Sequence, residues 1–245
     1  GSLTDFSNYC VADGLFFSPV ISGVRPIHDI LTEITTSANS AIVWSEGLLK
    51  IIPFMDAAVT GNAVTYTPNI APQYDLTDND FLYAAGTDPI TCTRTATVDA
   101  YNHVRIEYVN RDREYNPEIA EVKDQSSIEL FGLRSNPLLT FHHIAVTSIA
   151  MKAAQLALQR LVYSRNQYQF STTIKYARLE PMDIVTLTDA GLGFNRKLVR
   201  IVSVEEDDTN TLKFIAESFT YGVAQAAIYP TQAPSSFSPN YNADP

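Results

Sequence analysis

From Phe170 to Phe219 the chain is a succession of short β-type segments with almost nothing between them except turns. Phe170, Thr172, Ile174 and Tyr176 alternate with other residues as one face of a strand does. Leu179-Glu180-Pro181-Met182-Asp183 then reads as a turn before a strand at Ile184 to Thr188. Two more strands, Lys197 to Val204 and Leu212 to Phe219, flank the acidic turn Glu205-Glu206-Asp207-Asp208-Thr209-Asn210. Short strands joined by tight turns predict a small antiparallel β-barrel over residues 170–221, because closing the sheet removes its exposed edges.

The strongest helical signal lies just before this region. Within Thr147 to Ser164, Ile149, Ala153, Leu156, Ala157 and Leu161 form one stripe, and the alanines favour close packing. A second helix is predicted over residues 26–40. Ile27, Ile30, Leu31 and Ile34 fall at i, i+3, i+4 and i+7, and Pro26 suits a first turn where its missing N–H costs nothing. A hairpin should follow over residues 41–53, with strands Ile42-Val43-Trp44 and Leu48 to Ile52 joined at Glu46-Gly47. Trp44, mid-strand beside Ile42 and Val43, reads as a core residue. Further on, Thr91 to Val98 is rich in β-branched residues. His103-Val104-Arg105-Ile106-Glu107-Tyr108 alternates with period two, and Ala100-Tyr101-Asn102 reads as the turn between these two strands.

The expected fold class is therefore α+β: small antiparallel β-barrel lobes plus a helix-hairpin α/β lobe, with two main helices. Residues 1–90 would form the α/β lobe, ending in a loop-rich connector marked by Pro68, Pro72 and the acidic run from Asp75 to Asp80. Residues 91–228 would form the β-rich lobe with helix 147–164, and the Pro/Ser-rich stretch 229–245 a linker to a missing C-terminal region. Gly1-Ser2 in place of an initiator Met reads as the scar left when an expression tag is removed.

Charge narrows the function. With 17 Lys+Arg against 27 Asp+Glu the net charge is −10, the wrong sign for a chain that must neutralise phosphates. No apolar run reaches the length needed to span a bilayer as a helix. Two cysteines, Cys10 and Cys92, neither staple a scaffold nor make a zinc site, and free thiols are expected.

The candidate chemistry is thin. His142 and His143 are adjacent, so their rings diverge on a helix or a strand and grip one ion poorly. Asp75, Asp78 and Asp80 lack the central Gly and closing Glu of a calcium loop. Glu205, Glu206, Asp207 and Asp208 sit between strands, where their repulsion is tolerable in water. There is no Gly-x-Ser-x-Gly elbow, and Gly191-Leu192-Gly193 lacks the rest of a phosphate cradle. Arg111 and Arg113 among Tyr108 and Tyr115 are a weak nucleic-acid signal that Glu114 undercuts. No catalytic residue, cofactor or metal is expected. What stands out is 13 Tyr and 12 Phe with only 18% charged residues, a composition suited to faces buried against neighbours.

The order of segments resembles the hub or tail-tip proteins of tailed bacteriophages, the phage tail protein family of long non-contractile tails and gene transfer agents. The matching stretches are Ile27 to Ile52, carrying Trp44 and Gly47, Asn102 to Asn110, and Asp124 to Gly132. They continue with Ala153-Ala154-Gln155-Leu156-Ala157 ahead of Leu161 and Arg165, then Leu179-Glu180-Pro181-Met182-Asp183-Ile184-Val185 and Arg200-Ile201-Val202-Ser203-Val204. Met182 departs from the Gly usual in that turn.

The resemblance implies a non-enzymatic virion protein, assembled in the bacterial host cytoplasm. It would form a ring of copies, a homotrimer, as an adaptor between the tail tube and distal host-binding parts, with DNA present only in transit. On that picture an anionic passage would let DNA slide without holding it, so some of Asp75, Asp78, Asp80, Glu205, Glu206, Asp207 and Asp208 are expected at the lumen or its rim. Two alternatives stay open. A cell-wall hydrolase module would need two carboxylates across a cleft. A host carbohydrate- or receptor-binding module would use aromatics such as Trp44 or Tyr101 as a platform.

Overall fold

A computed structural model of the chain describes residues 3–225 apart from 22, 46, 84, 97 and 98. The linker expected over 229–245, and Glu46, Thr97 and Val98 of the expected hairpin and strand, lie outside the described residues.

The chain opens with helix α1 (Leu3–Asp13), continues through an extended arm, and enters α2 (Ile27–Ser37). Two hairpins follow. The first pairs β1 (Ser40–Ser45) with β2 (Leu48–Pro53), the second β3 (Val59–Gly61) with β4 (Val64–Tyr66). Next come the short β5 (Asp75–Leu76), β6 (Ile90–Arg94), β7 (His103–Asn110), β8 (Asn116–Lys123), α3 (Gln125–Phe131) and β9 (Leu139–Thr140). Helix α4 (Thr147–Tyr163) then leads into β10 (Asn166–Thr173), β11 (Ile184–Asp189), β12 (Phe194–Glu206) and β13 (Thr211–Ser218). Helix α4 and the first hairpin fall where the apolar periodicity places them, within a residue or two.

Two buried clusters organise these elements. In the first, Ile149, Ala150, Ala153, Ala154 and Leu158 of α4 pack on Val104, Ile106 and Tyr108 of β7, with Tyr9 of α1 and Met55 completing it. The alanines on the buried face of α4 let its backbone approach the β8-β7-β9 sheet closely. Tyr9 is fully buried and its hydroxyl donates to the Ala38 carbonyl at 2.9 Å, which satisfies the one polar atom that burial would otherwise strand. The second cluster is strongly aromatic, with Phe170 stacked on Phe214 at 5.3 Å and Phe81 edge-on to Phe170 at 5.6 Å.

The second cluster is wrapped by a six-stranded sheet in the order β5-β11-β12-β13-β10-β6. It is curled, and the chain itself proves it. Leu76 pairs with Leu187 at one edge, and Phe81 bridges Thr172 on the far side of β10. Five residues reach at most about 18 Å. In a flat sheet those positions would be five strand spacings apart, about 24 Å. The edge-to-face contact of Tyr74, just before β5, with Tyr176, just after β10, at 5.2 Å shows the same closure.

The expected barrel nevertheless does not form: β5 and β6 remain as ends of the sheet, with no ladder between them. The physical reason is that β5 is two residues long and runs parallel to β11, so the seam is crossed by connector 77–80 in place of a paired strand. A second correction concerns β6 and β7. They are not neighbours across a turn at Ala100-Tyr101-Asn102; β6 pairs with β10 and β7 with β8 and β9, in different sheets. The strand begun at Phe170 also ends sooner than its alternation suggests, giving way to a 3-10 turn at Ile174–Tyr176 that leaves Ile174 exposed.

Candidate assembly surfaces and the joint behind them

The two clusters meet at a buried polar joint. Arg200 of β12, 9% exposed, donates to the Met55 carbonyl at 3.2 Å, and its guanidinium lies 5.2 Å from the Phe54 ring and 4.9 Å from the Phe219 ring. Arg160 of α4 covers the Phe54 ring at 3.3 Å and pairs with Glu217 of β13 at 3.1 Å. Glu217 also faces Arg200 at 3.9 Å. Burial pushes the Arg200 guanidinium down to about 10 and lowers Arg160 as well, with Glu217 opposing both shifts. Two cations thus share one carboxylate, and Phe54 supplies a π face to each. Nearby, Asp56 accepts the Val223 N–H at 2.9 Å, tying the chain beyond β13 to the same place. The joint fixes one cluster relative to the other. In the sequence these arginines look like ordinary surface cations on a strand and a helix, because their partners are far away in the chain.

A second tie joins hairpin and sheet. Lys50 of β2 pairs with Glu180 at 3.0 Å, and Ser45 donates to the same carboxylate. Glu180 belongs to the turn Leu179–Asp183, where Met182 sits at φ 77 and Asp183 accepts the Glu180 N–H at 2.9 Å. That left-handed backbone is where a Gly would be at ease.

The seven acids noted from the sequence are dispersed over three kinds of surroundings. Asp80 is the most constrained. It accepts the Thr77 N–H at 3.0 Å and the Thr77 hydroxyl at 2.9 Å, accepts from Tyr176, and pairs with Lys175 at 3.3 Å. Burial alone would raise its pKa, but bonds from Tyr176, Thr77 and Lys175 outweigh it and hold the carboxyl at about 2. Asp80 is thus a clasp across the seam of the curled sheet. Asp75 accepts from Thr186 and pairs with Arg196 at 2.9 Å, fastening the edge strand β5. Asp207 pairs with Lys213 at 2.9 Å, and that bond lowers its pKa. Asp78, Glu205, Glu206 and Asp208 are exposed. Strand pairing joins Thr173, two residues before Lys175, to Thr211 at the acidic turn, so Asp80 and the 205–208 acids share one end of the sheet. Asp75 lies at the other level of β12, opposite Thr186 and through it Leu198.

His142 and His143 do not make a common site. His143 is buried, 2.7 Å from the Ser37 hydroxyl and 3.3 Å from Glu33, with Phe17 and Phe141 against its ring. Burial pushes its pKa below the ordinary value against the pull of Glu33. His142 points away to Glu107 at 2.7 Å. Among the described residues no group of three His, Cys, Asp or Glu is placed to hold a metal ion. Both cysteines are free.

Trp44 corrects the reading of it as core. It is 73% exposed, and the reason is strand parity. Val43 is the buried neighbour, Ser45 and Lys50 face Glu180, and Trp44 opposite Leu49 takes the other face of a ribbon only two strands wide. Two further groups of large apolar side chains are exposed: Val20, Ile21 and Val24 in the arm before α2, and Leu130, Phe131 and Leu133 at the end of α3. Single exposed apolar residues are unremarkable, but runs of them mark interaction surfaces. The arm and α3 escaped sequence reading because neither has a periodicity long enough to register.

The family described as "Putative phage tail protein" matches residues 26–204, nearly three quarters of the chain. The chain belongs to that family. This phage tail protein also resembles solved structures. A chain of the virion of a native gene transfer agent particle superposes with TM-score 0.63 at 15% identity, covering 91% of this chain and 48% of that one. A tail protein from Neisseria meningitidis MC58 superposes with TM-score 0.51 at 12% identity, covering 86% and 60%. At these identities the likeness is one of fold. The phage tail protein spans about half the length of the first and three fifths of the second. No curated protein sequence matches it.

Proposed function

We propose that this phage tail protein is a subunit of a tail hub: a trimeric adaptor ring between the tail tube and the distal host-binding parts, working by burying surface against copies of itself and against neighbouring tail proteins. The observation that carries this reading is family membership combined with three exposed apolar groups on a tied framework. The charged tie at Arg160, Arg200 and Glu217, the Lys50–Glu180 pair and the clasp at Asp80 hold the hairpin and the sheet in set positions, as a ring of repeated contacts requires. Trp44, the single Trp, is a natural anchor, because aromatic side chains dominate the energy of interface cores.

In this reading the acids at one end of the sheet, Asp78, Asp80, Glu205, Glu206, Asp207 and Asp208, together with Asp75, face the passage or its rim. An anionic wall repels passing phosphates where a cationic one would retain them. The two buried clusters, each built from residues on both sides of residue 90, would act as the two lobes of one ring segment in place of a division at 1–90 and 91–228. Sedimentation of the full chain at rising concentration tests the reading. A trimer that dissociates when Trp44 is replaced by Ser is expected; a monomer at every concentration, in the presence of the tube protein as well, would refute it.

A further inference from the structure

The loop after α3 is held against the start of β7 by an unusually complete set of bonds. Asn102, fully buried, accepts the Arg134 N–H at 2.7 Å and donates its side-chain amide to the Gly132 carbonyl at 2.8 Å. The His103 N–H donates to the Arg134 carbonyl at 3.1 Å and the Asn136 N–H to the His103 carbonyl at 2.8 Å. These last two bonds form the parallel bridge between His103 and Ser135, and they leave the N–H of Ser135 pointing away from β7 with no partner among the described residues.

The side chains of that bridge form a directed chain. Ser135, exposed, has its hydroxyl 2.8 Å from His103 Nδ1; His103 Nε2 lies 3.1 Å from Glu121. Lys123 donates to the same carboxylate at 3.0 Å, and Lys123 followed by His103 holds Glu121 below the usual carboxylate range. An ionised carboxylate can only accept, so Nε2 carries the imidazole proton and Nδ1 offers its lone pair. The Ser135 hydroxyl must therefore donate to Nδ1. A hydroxyl, a base that takes its proton and a carboxylate that fixes the base's tautomer are the elements of an activated nucleophile. Leu133 and Phe131, both exposed, provide apolar surface close by in the same loop.

We propose that Ser135 is an acyl-acceptor site, which takes an acyl group from an activated ester or thioester with an apolar acyl chain. The Ser135 Oγ bonds to the carbonyl carbon as the bond to the leaving oxygen or sulfur breaks. The hydroxyl proton passes to His103 Nδ1 and from there to the leaving group. The free Ser135 N–H is placed to donate to the carbonyl oxygen as it gains charge. This covalent modification adds to the assembly role and does not depend on it.

The test is acylation of the full chain by p-nitrophenyl butyrate, followed by peptide mapping. Ser135 should acquire a hydroxylamine-labile butyryl ester at least about 100-fold faster than other exposed serines, the lower range of general-base assistance. Ser135→Ala should remove that adduct. Glu121→Gln, at an exposed side chain, should slow it about tenfold at unchanged melting temperature, and Glu121→Asp should restore part of the rate. Labelling of Ser135 no faster than other serines, or an unchanged rate in Glu121→Gln, overturns the proposal.

Discussion

Replacing Arg200 by Ala is the most exacting test of the joint. The substitution strands the Met55 carbonyl, which accepts from Arg200 at 3.2 Å, and an unpaired buried acceptor costs about 1–3 kcal/mol. It also removes a cation from between the Phe54 and Phe219 rings, worth about 0.5–2 kcal/mol per contact. Glu217 keeps Arg160 at 3.1 Å, so the carboxylate is not left alone. A loss of about 3–4 kcal/mol is expected, at the lower end of what breaking a buried pair costs. Arg200→Met keeps much of the packed volume but strands the same carbonyl and removes the same cation, so it should lose nearly as much if the polar contacts carry the joint. Urea unfolding followed by hydrogen-exchange mass spectrometry resolves the two clusters separately. In the wild type, peptides from β7 and from β13 should lose protection together; in Arg200→Ala the two should part, because the tie that couples them is gone. A loss under about 1 kcal/mol, or a single transition in the variant, would refute the idea that this arginine couples the clusters.

Other outcomes follow from the same geometry. The Asp80 carboxyl is depressed from 3.8 to about 2, so its contribution to stability is complete above pH 4 and disappears as the pH falls through about 2; at about 1.4 kcal/mol per unit, screened by its partly solvated Lys175 partner, this amounts to about 1–2 kcal/mol. Asp80→Asn should cost that much at neutral pH and flatten the acid limb of a stability-against-pH curve. Met182→Gly removes a buried side chain but relieves a φ of 77, so it should fall within about 1 kcal/mol of wild type in urea, far short of the 2–5 kcal/mol typical of truncating a core Met. Trp44→Ser should leave the melting temperature of the isolated chain unchanged, since its side chain is mostly in solvent.

Legibility in the sequence tracked how local the determining interaction is. Helix α4 announces itself through its own stripe, and the β1-β2 hairpin through its spacing and Gly47, whose φ of 74 is one that glycine adopts freely. Strands β12 and β13 flank a turn acidic enough to mark them. Helix α1 carries Phe6, Tyr9 and Cys10 on one face, a pattern present in the sequence but too short to stand out. What periodicity cannot convey is which strand pairs with which. The partnership of β6 with β10 joins positions some 75 residues apart, and the open seam depends on β5 being too short to reach across. Trp44 failed for a related reason: alternation identifies two faces of a ribbon but not which of them the rest of the fold covers. The acids were visible as runs, yet their roles at Asp75 and Asp80 as fasteners required Arg196, Thr186, Lys175 and Tyr176 to arrive from distant segments.

The central claim is that surfaces left open on this chain are closed by its neighbours in the tail. Electron cryomicroscopy of the assembled tail containing this protein tests it directly. Three copies around a passage, with Trp44 buried against an adjacent subunit and Glu205 to Asp208 bordering the channel, is the predicted result. A copy attached singly at the periphery with Trp44 in solvent would contradict the account.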